Sequence, residues 1–174
     1  MNGRAQRLAE EFERVNGEVI TLVEGCSAAD WRARCAREGW TVGVVAHHIA
    51  NGYDQEGTVA RLVRAVTRGQ PLPPPPPPGY NEHHAARHAD CTREETAALL
   101  RRNGAAGAAL IRALSDAEID RTFQSPRGGP PRALQQLIEQ IFTTHARGHL
   151  ASIRETLDDR RGSGAGGMRA HDRL

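Results

Sequence analysis

The chain has 174 residues, a length that corresponds to one domain of ordinary size. Its 23 basic residues are all arginine and nearly balance 21 acidic residues. A formal net charge of +2, without a stripe of arginines interleaved with aromatic residues, does not favour nucleic-acid binding. The absence of lysine excludes Schiff-base catalysis, a covalent pyridoxal cofactor and a P-loop lysine, whereas eight histidines offer more nitrogen ligands than a core requires.

The first two helices are predicted from apolar periodicity and from residues that begin and end helices. Apolar side chains repeat every three or four positions up to Gly25, which predicts one amphipathic helix. Residues 27–40 form a tryptophan-containing connection, and Thr41 is a suitable N-cap for a second helix that runs to Arg68. Gly69 then ends the second helix. The repeating residues of the first helix are Leu8, Phe12, Val15, Val19, Leu22 and Val23.

A proline-rich connection separates the second helix from the third. Seven prolines within residues 71–78 predict a stiff polyproline II strap. Thr92 and Glu95 form a capping-box pattern that predicts the start of the third helix. The same pattern in Ser115 and Glu118 predicts a short helical turn after it.

The fourth helix is the last predicted element. The Pro-Pro pair at residues 130–131 suits a first helical turn, and the periodic pattern continues from about Arg132 to Asp158. Residues 159–174 are rich in glycine and arginine, so we expect a disordered tail that carries His171 away from any site.

The fold class follows from these elements. Four amphipathic helices with no segment of strand-like alternation predict an all-α four-helix bundle. We expect the bundle to span residues 1–158 and to include the proline-rich connection, residues 70–80.

Cysteine usage and hydropathy indicate a cytoplasmic protein. Cys26, Cys35 and Cys91 make an odd number without a CxxC motif, which is typical of reduced thiols. No apolar run approaches the roughly 18 residues of a membrane span, and the start of the sequence lacks the apolar region of a signal peptide. We therefore expect neither a membrane nor a nucleic acid as a partner.

Three histidines lie on apolar helix faces and form the candidate metal site. His145 and His149 are one turn apart on the apolar stripe of the fourth helix, so both imidazoles can reach one point. On the second helix His48 lies inside the apolar arc, whereas His47 lies outside it by roughly 60° and is predicted as a flanking or surface residue. Three imidazoles leave at least one open position on a metal ion, which is typical of catalytic zinc and also suits nickel, iron or manganese.

The remaining chemical candidates are weaker. His84 and His88 repeat the HxxxH spacing next to His83, so a rival metal site has to be weighed. This segment lacks an apolar stripe, and we interpret it as a solvated loop or short helix at the mouth of the bundle; lining the pocket is the alternative. Tyr53 and Glu56 follow His48 by one and two turns, and either can serve as acid or base, or simply pack or face solvent.

Two segments resemble a known family. GWTVGVVAHHIA at residues 39–50 and HARGHLASIRETL at residues 145–157 resemble the histidine motifs of DinB-like (DinB/YfiT-like) proteins, in the same order along the chain. The resemblance implies an up-down-down-up four-helix bundle that binds a divalent metal through His48, His145 and His149. Related maleylpyruvate isomerases are described with a glutamate where this chain has His145, which favours the three-histidine branch.

The resemblance also implies a function, because characterised relatives use low-molecular-weight thiols. We expect a zinc-dependent or similar enzyme that transfers mycothiol, bacillithiol or glutathione to a small electrophile. One alternative is Fe(II)- and oxygen-dependent sulfur oxidation at the same three histidines. Another is a non-catalytic, metal-stabilised stress-response binding module, for instance a homodimer.

Overall fold

The computed structural model describes residues 3–125 and 128–166, most of which are helical. None of the helices in these residues is long and apolar enough to cross a membrane. The elements are α1 (Gly3–Gly25), α2 (Ala28–Trp31), α3 (Val42–Gly52), α4 (Thr58–Arg68), α5 (Tyr80–Arg87), α6 (Arg93–Arg112), α7 (Asp116–Ile119), β1 (Thr122–Phe123), β2 (Arg132–Ala133), α8 (Leu134–Ile138), a π-helical segment (Glu139–His145) and α9 (Ala146–Gly166).

The predicted helix starts are confirmed where a side chain caps the backbone. The hydroxyl of Thr41 accepts the N–H of Val44 at 3.2 Å at the start of α3. Thr92 and Ser115 each form a capping box with the glutamate three residues later, at the starts of α6 and α7. These bonds join residues three apart in sequence, and for that reason the sequence alone predicts them.

The long helices pack into the predicted four-helix bundle around one apolar core. α1 lies along α6, and α3 packs against α6 and α9. Gly107 allows the close approach of α1 to α6, because a Cβ built there would lie 3.1 Å from ring atoms of both Phe12 and Phe142. The largest fully buried side chains include Phe12, Ile49, Leu100, Ile111, Leu134, Phe142, Leu150 and Ile153.

The second helix is divided, and the prediction of one continuous helix to Arg68 was wrong. The carboxylate of Asp54 accepts the backbone N–H of Glu56 at 3.2 Å, and the carbonyl of Asp54 accepts the N–H of Gly57 at 3.0 Å. An aspartate side chain offers the backbone these alternative bonds, which favours a turn over a helix. Helix α4 therefore starts as a separate helix at Thr58.

A short β-ladder precedes the fourth helix, contrary to the prediction of no strand. β1 and β2 pair antiparallel, with Thr122 opposite Ala133. The Pro-Pro pair at residues 130–131 therefore leads into a strand, and the helix begins at Leu134 rather than in the prolines. Strands of two residues are too short to show an alternating pattern, so the sequence gives no signal for them.

The last helix is longer than predicted. α9 continues to Gly166, so the part of the predicted tail that covers residues 159–166 is helical. An ion pair of Arg161 with Asp158, at 3.4 Å and three residues apart, supports this extension. The rest of the predicted tail, residues 167–174 with His171, lies outside the described residues.

Candidate metal centre

The three histidines predicted as ligands come together between α3 and the last helix. His48 projects from α3, His145 ends the π-helical segment, and His149 lies one turn further on in α9. The π-helical hydrogen bonds widen the helix and shift its register just before His145, and such segments are frequent at functional sites.

The distances within this cluster fit a bound cation. The Nε2 atom of His145 lies 3.3 Å from Nε2 of His48 and 3.2 Å from Nε2 of His149. Two nitrogens that each lie about 2.0–2.1 Å from a tetrahedral ion are themselves about 3.3–3.4 Å apart. His145 thus lies at the spacing of two zinc ligands from each of the other histidines, and the three side chains each offer a ligand atom within 4.8 Å of the others.

Glu38 orients one of these ligands and was missed by the sequence analysis. Its Oε1 atom lies 2.8 Å from Nδ1 of His149, and its Oε2 atom accepts the hydroxyl of Ser152 at 2.6 Å. The carboxylate holds the proton of His149 on Nδ1, which leaves Nε2 free to bind a metal. Burial acts to raise the pKa of Glu38, but the hydrogen bonds from Ser152 and His149 lower it below its ordinary value.

A tight loop between α2 and α3 presents Glu38 to the last helix. The N–H of Cys35 donates to the carbonyl of Trp40 at 2.8 Å, and Gly39 adopts a left-handed conformation with φ of 71°. Glu38 and His149 are 111 positions apart in sequence. A metal-binding histidine needs a partner for its second nitrogen, so the sequence could predict that an acceptor exists but not which residue supplies it.

Burial favours the neutral form of two of these histidines, His48 and His145. Burial, and after it the charges of the neighbouring histidines, lowers the pKa of His48 to about 3. His145 is accessible to solvent, yet partial burial of its ring also lowers its pKa. Neutral imidazoles have a lone pair available for a metal ion, and the buried Nδ1 of His48 has no hydrogen-bond partner among the described residues.

A second group of histidines lies beside the first, and it corrects two interpretations. His84 lies in α5, the short helix that the sequence allowed as one alternative, but it is buried, with 6% of its surface exposed, rather than solvated. His47 is half-buried rather than a surface residue: its Nδ1 lies 3.4 Å from Nε2 of His84, and its ring stacks on that of His88 with centroids 3.9 Å apart. His83 is exposed and stays outside this group.

Neither predicted acid or base joins the histidines. Tyr53 is 2% exposed and packs with its ring 4.7 Å from that of Phe12 and 5.8 Å from that of Phe142. Burial raises its pKa well above the ordinary value, so Tyr53 is a core residue. Glu56 lies exposed in the turn between α3 and α4, because the helix that was expected to carry it toward the site ends before it.

A cavity of about 480 Å³ opens onto the first cluster at His48 and His145. The proline-rich strap, residues 73–77, forms one wall, and the start of α5 continues it with Tyr80. The volume is in the range of small-molecule sites. Its polar lining includes Asn51, Thr58, Asn81, Glu82, Arg132 and Gln140, and its apolar lining includes Val59, Leu62, Leu137 and Ile141.

Two solved structures share the fold of this chain. YfiT from Bacillus subtilis, described as a probable metal-dependent hydrolase with an unusual four-helix bundle topology, superposes with a TM-score of 0.72 at 22% identity over 93% of this chain and 90% of its own. A mutant of the mycothiol-dependent maleylpyruvate isomerase superposes with a TM-score of 0.67 at 12% identity, and the match covers 86% of this chain but only 60% of the isomerase.

Sequence comparison identifies the family. No curated protein matches the chain. The sequence profile of the DinB superfamily, however, matches residues 11–153, a stretch that contains His48, His145, His149 and the proline-rich strap. The chain therefore belongs to the DinB superfamily.

Proposed function

We propose that this chain is a divalent-metal-dependent enzyme that transfers a low-molecular-weight thiol to a small electrophile. The observation that carries the proposal is the convergence of three histidines beside the cavity of about 480 Å³, where Nε2 of His145 lies 3.3 Å from Nε2 of His48 and 3.2 Å from Nε2 of His149. A divalent cation held by His48, His145 and His149 would stabilise the thiolate form of a bound thiol, whose free pKa is about 8.5.

Neither lysine nor cysteine supplies a competing nucleophile at this cavity. Lysine is absent. Burial raises the pKa of Cys26, Cys35 and Cys91, which keeps all three as thiols, and none of them lines the cavity. A thiol supplied as a second substrate is consistent with these facts, and the fold is shared with an isomerase that is described as mycothiol-dependent.

The cavity has groups that can hold both substrates. Arg132 is half-buried in its wall and donates to the side chain of Gln140 at 2.5 Å, so its guanidinium is held in place. We assign Arg132 to an anionic or carbonyl group of a substrate, because a guanidinium pairs with oxygen acceptors. The prolines of residues 73–77 and Leu62 offer an apolar wall for the body of the electrophile.

The test measures thiol transfer with defined substrates. Metal-loaded protein is mixed with mycothiol, bacillithiol or glutathione and a chromogenic aryl chloride, and the loss of free thiol is followed. We expect transfer with one of the thiols, abolished in His145→Ala and retained in His83→Ala, the matched control. Transfer that persists in His145→Ala, or no transfer with any of the thiols, contradicts the proposal.

Hydrolysis is the second candidate, since the similar fold of YfiT is described as that of a probable metal-dependent hydrolase. A cation with an open position can also lower the pKa of a bound water molecule. Cleavage of an ester or amide without added thiol, lost in His145→Ala, would favour this candidate. A tightly bound metal with neither reaction would favour the non-catalytic binding module, and oxygen consumption by the Fe(II)-loaded protein with a thiol would favour sulfur oxidation.

A further inference from the structure

We propose that His47, His84 and His88 form a second transition-metal site, so that the chain binds two cations side by side. The three residues each offer a ring nitrogen within 4.8 Å of the others. They come from two elements, α3 and the α5 segment with its C-cap His88. Imidazole ligands suit zinc, copper, nickel and cobalt, which defines the class of ion.

A single long hydrogen bond links the rings of this cluster among the described residues. The ring of the buried His84 makes one hydrogen bond, the 3.4 Å contact with His47, among the described residues. The rings of His47 and His88 are stacked with an interplanar angle of 21°, so their faces are in contact and their nitrogens do not point at each other. The observation that favours a cation is therefore the spacing of the three ring nitrogens, all within 4.8 Å of one another around the buried His84.

The cluster needs only a small change to bind an ion. The 3.4 Å between His47 and His84 already equals the spacing of two nitrogens on a tetrahedral ion, about 3.3–3.4 Å. His88 has to turn its ring toward the other two. It caps the last turn of α5 and is only half-buried, so its side chain has room to turn.

The two sites are neighbours but do not share a ligand. His47 and His48 follow each other on α3, and consecutive residues of a helix point about 100° apart. Each therefore serves a different cluster. The contact between the clusters is the edge-to-face pair of His48 and His84, whose ring centroids lie 5.3 Å apart.

A cation in the second site would hold α5 against α3. Helix α5 follows the proline-rich strap, and its residues Tyr80, Asn81 and Glu82 line the cavity. His84 and His88 contact α3 through His47, so an ion shared by these three residues would fix the wall that the strap and α5 build. The second metal thus has a positioning role for the cavity of the first.

The experiment counts metal ions per chain in the unaltered protein and four variants. Metal-free protein is titrated with Zn²⁺ against a chromophoric chelator, and bound zinc is measured by elemental analysis after gel filtration. We expect two equivalents for the unaltered chain and for His83→Ala, the neighbouring histidine outside the cluster. His88→Ala and His145→Ala are each expected to bind one.

The design separates a lost site from a lost fold. If His88→Ala still binds one equivalent of zinc, the bundle and the first site persist in that variant. His47→Ala removes a ligand of the second site that comes from α3 instead of α5, and it is also expected to bind one equivalent. In Co²⁺-loaded protein, His88→Ala and His145→Ala should each remove a different part of the visible absorption. One equivalent in the unaltered chain, or two in both His88→Ala and His47→Ala, overturns the proposal.

Discussion

The carboxylate of Glu38 should control how tightly the first metal site binds. Glu38 accepts the Nδ1 proton of His149 with one oxygen and the hydroxyl of Ser152 with the other, and its side chain is only 8% exposed. In Glu38→Gln the amide keeps the shape but loses the negative charge, and it has one acceptor where the carboxylate has two. If its NH₂ group faces His149, the histidine is pushed to the tautomer with the proton on Nε2, which cannot bind a metal.

The expected loss is a 10- to 100-fold drop in metal affinity, the usual effect of removing such a partner, or about 1.4–2.8 kcal/mol. The zinc affinity is measured by competition with a chelator at pH 7, for the one equivalent of bound Zn²⁺ that is lost in His145→Ala. Glu155→Gln is the matched control, because Glu155 is an exposed residue of α9 whose closest cation is Arg37 at 3.7 Å. Equal affinity in Glu38→Gln and Glu155→Gln would refute the idea that Glu38 orients His149.

Two further predictions concern stability. Gly107→Ala should lower the free energy of unfolding by about 1–3 kcal/mol, because its Cβ would lie 3.1 Å from two core aromatic rings. In the control Gly17→Ala the new Cβ would have no atom within 4 Å, so the free energy of unfolding should rise by up to about 1 kcal/mol. Equal effects of the two substitutions in urea unfolding would contradict the packing argument. The metal-free protein should lose stability as the pH falls below about 6.5, the pKa of a histidine in the unfolded chain. In the folded chain burial lowers the pKa of His48 to about 3 and the pKa values of His47 and His84 to about 4. On acidification the unfolded chain therefore binds protons before the folded chain does, which favours unfolding. The Tm should fall between pH 6.5 and 4, less steeply in His84→Gln, whereas a Tm that rises on acidification would contradict the lowered pKa values.

The sequence predicted the features that depend on neighbouring residues. Thr92 and Glu95 begin α6 because their bonds span three positions, and the HxxxH spacing places His145 and His149 one turn apart on any helix. The turn at Asp54 also depends on neighbouring residues only. The sequence analysis nevertheless predicted an unbroken helix, because the apolar periodicity continues on both sides of this turn.

Only the tertiary structure decided which residues meet across the bundle. His48 and His145 are 97 positions apart, and Glu38 and His149 are 111 apart. The apolar pattern of the second helix placed His48 on an apolar face. It could not show that the loop containing Gly39 brings the carboxylate of Glu38 next to Nδ1 of His149. The cluster of His47, His84 and His88 had no apolar stripe to predict it, because its burial comes from the docking of α5 on α3. Helix caps and histidine spacing depend on hydrogen bonds and geometry within one or two turns, whereas the partners of a metal ligand depend on how distant helices pack, and no short segment of the sequence contains that information.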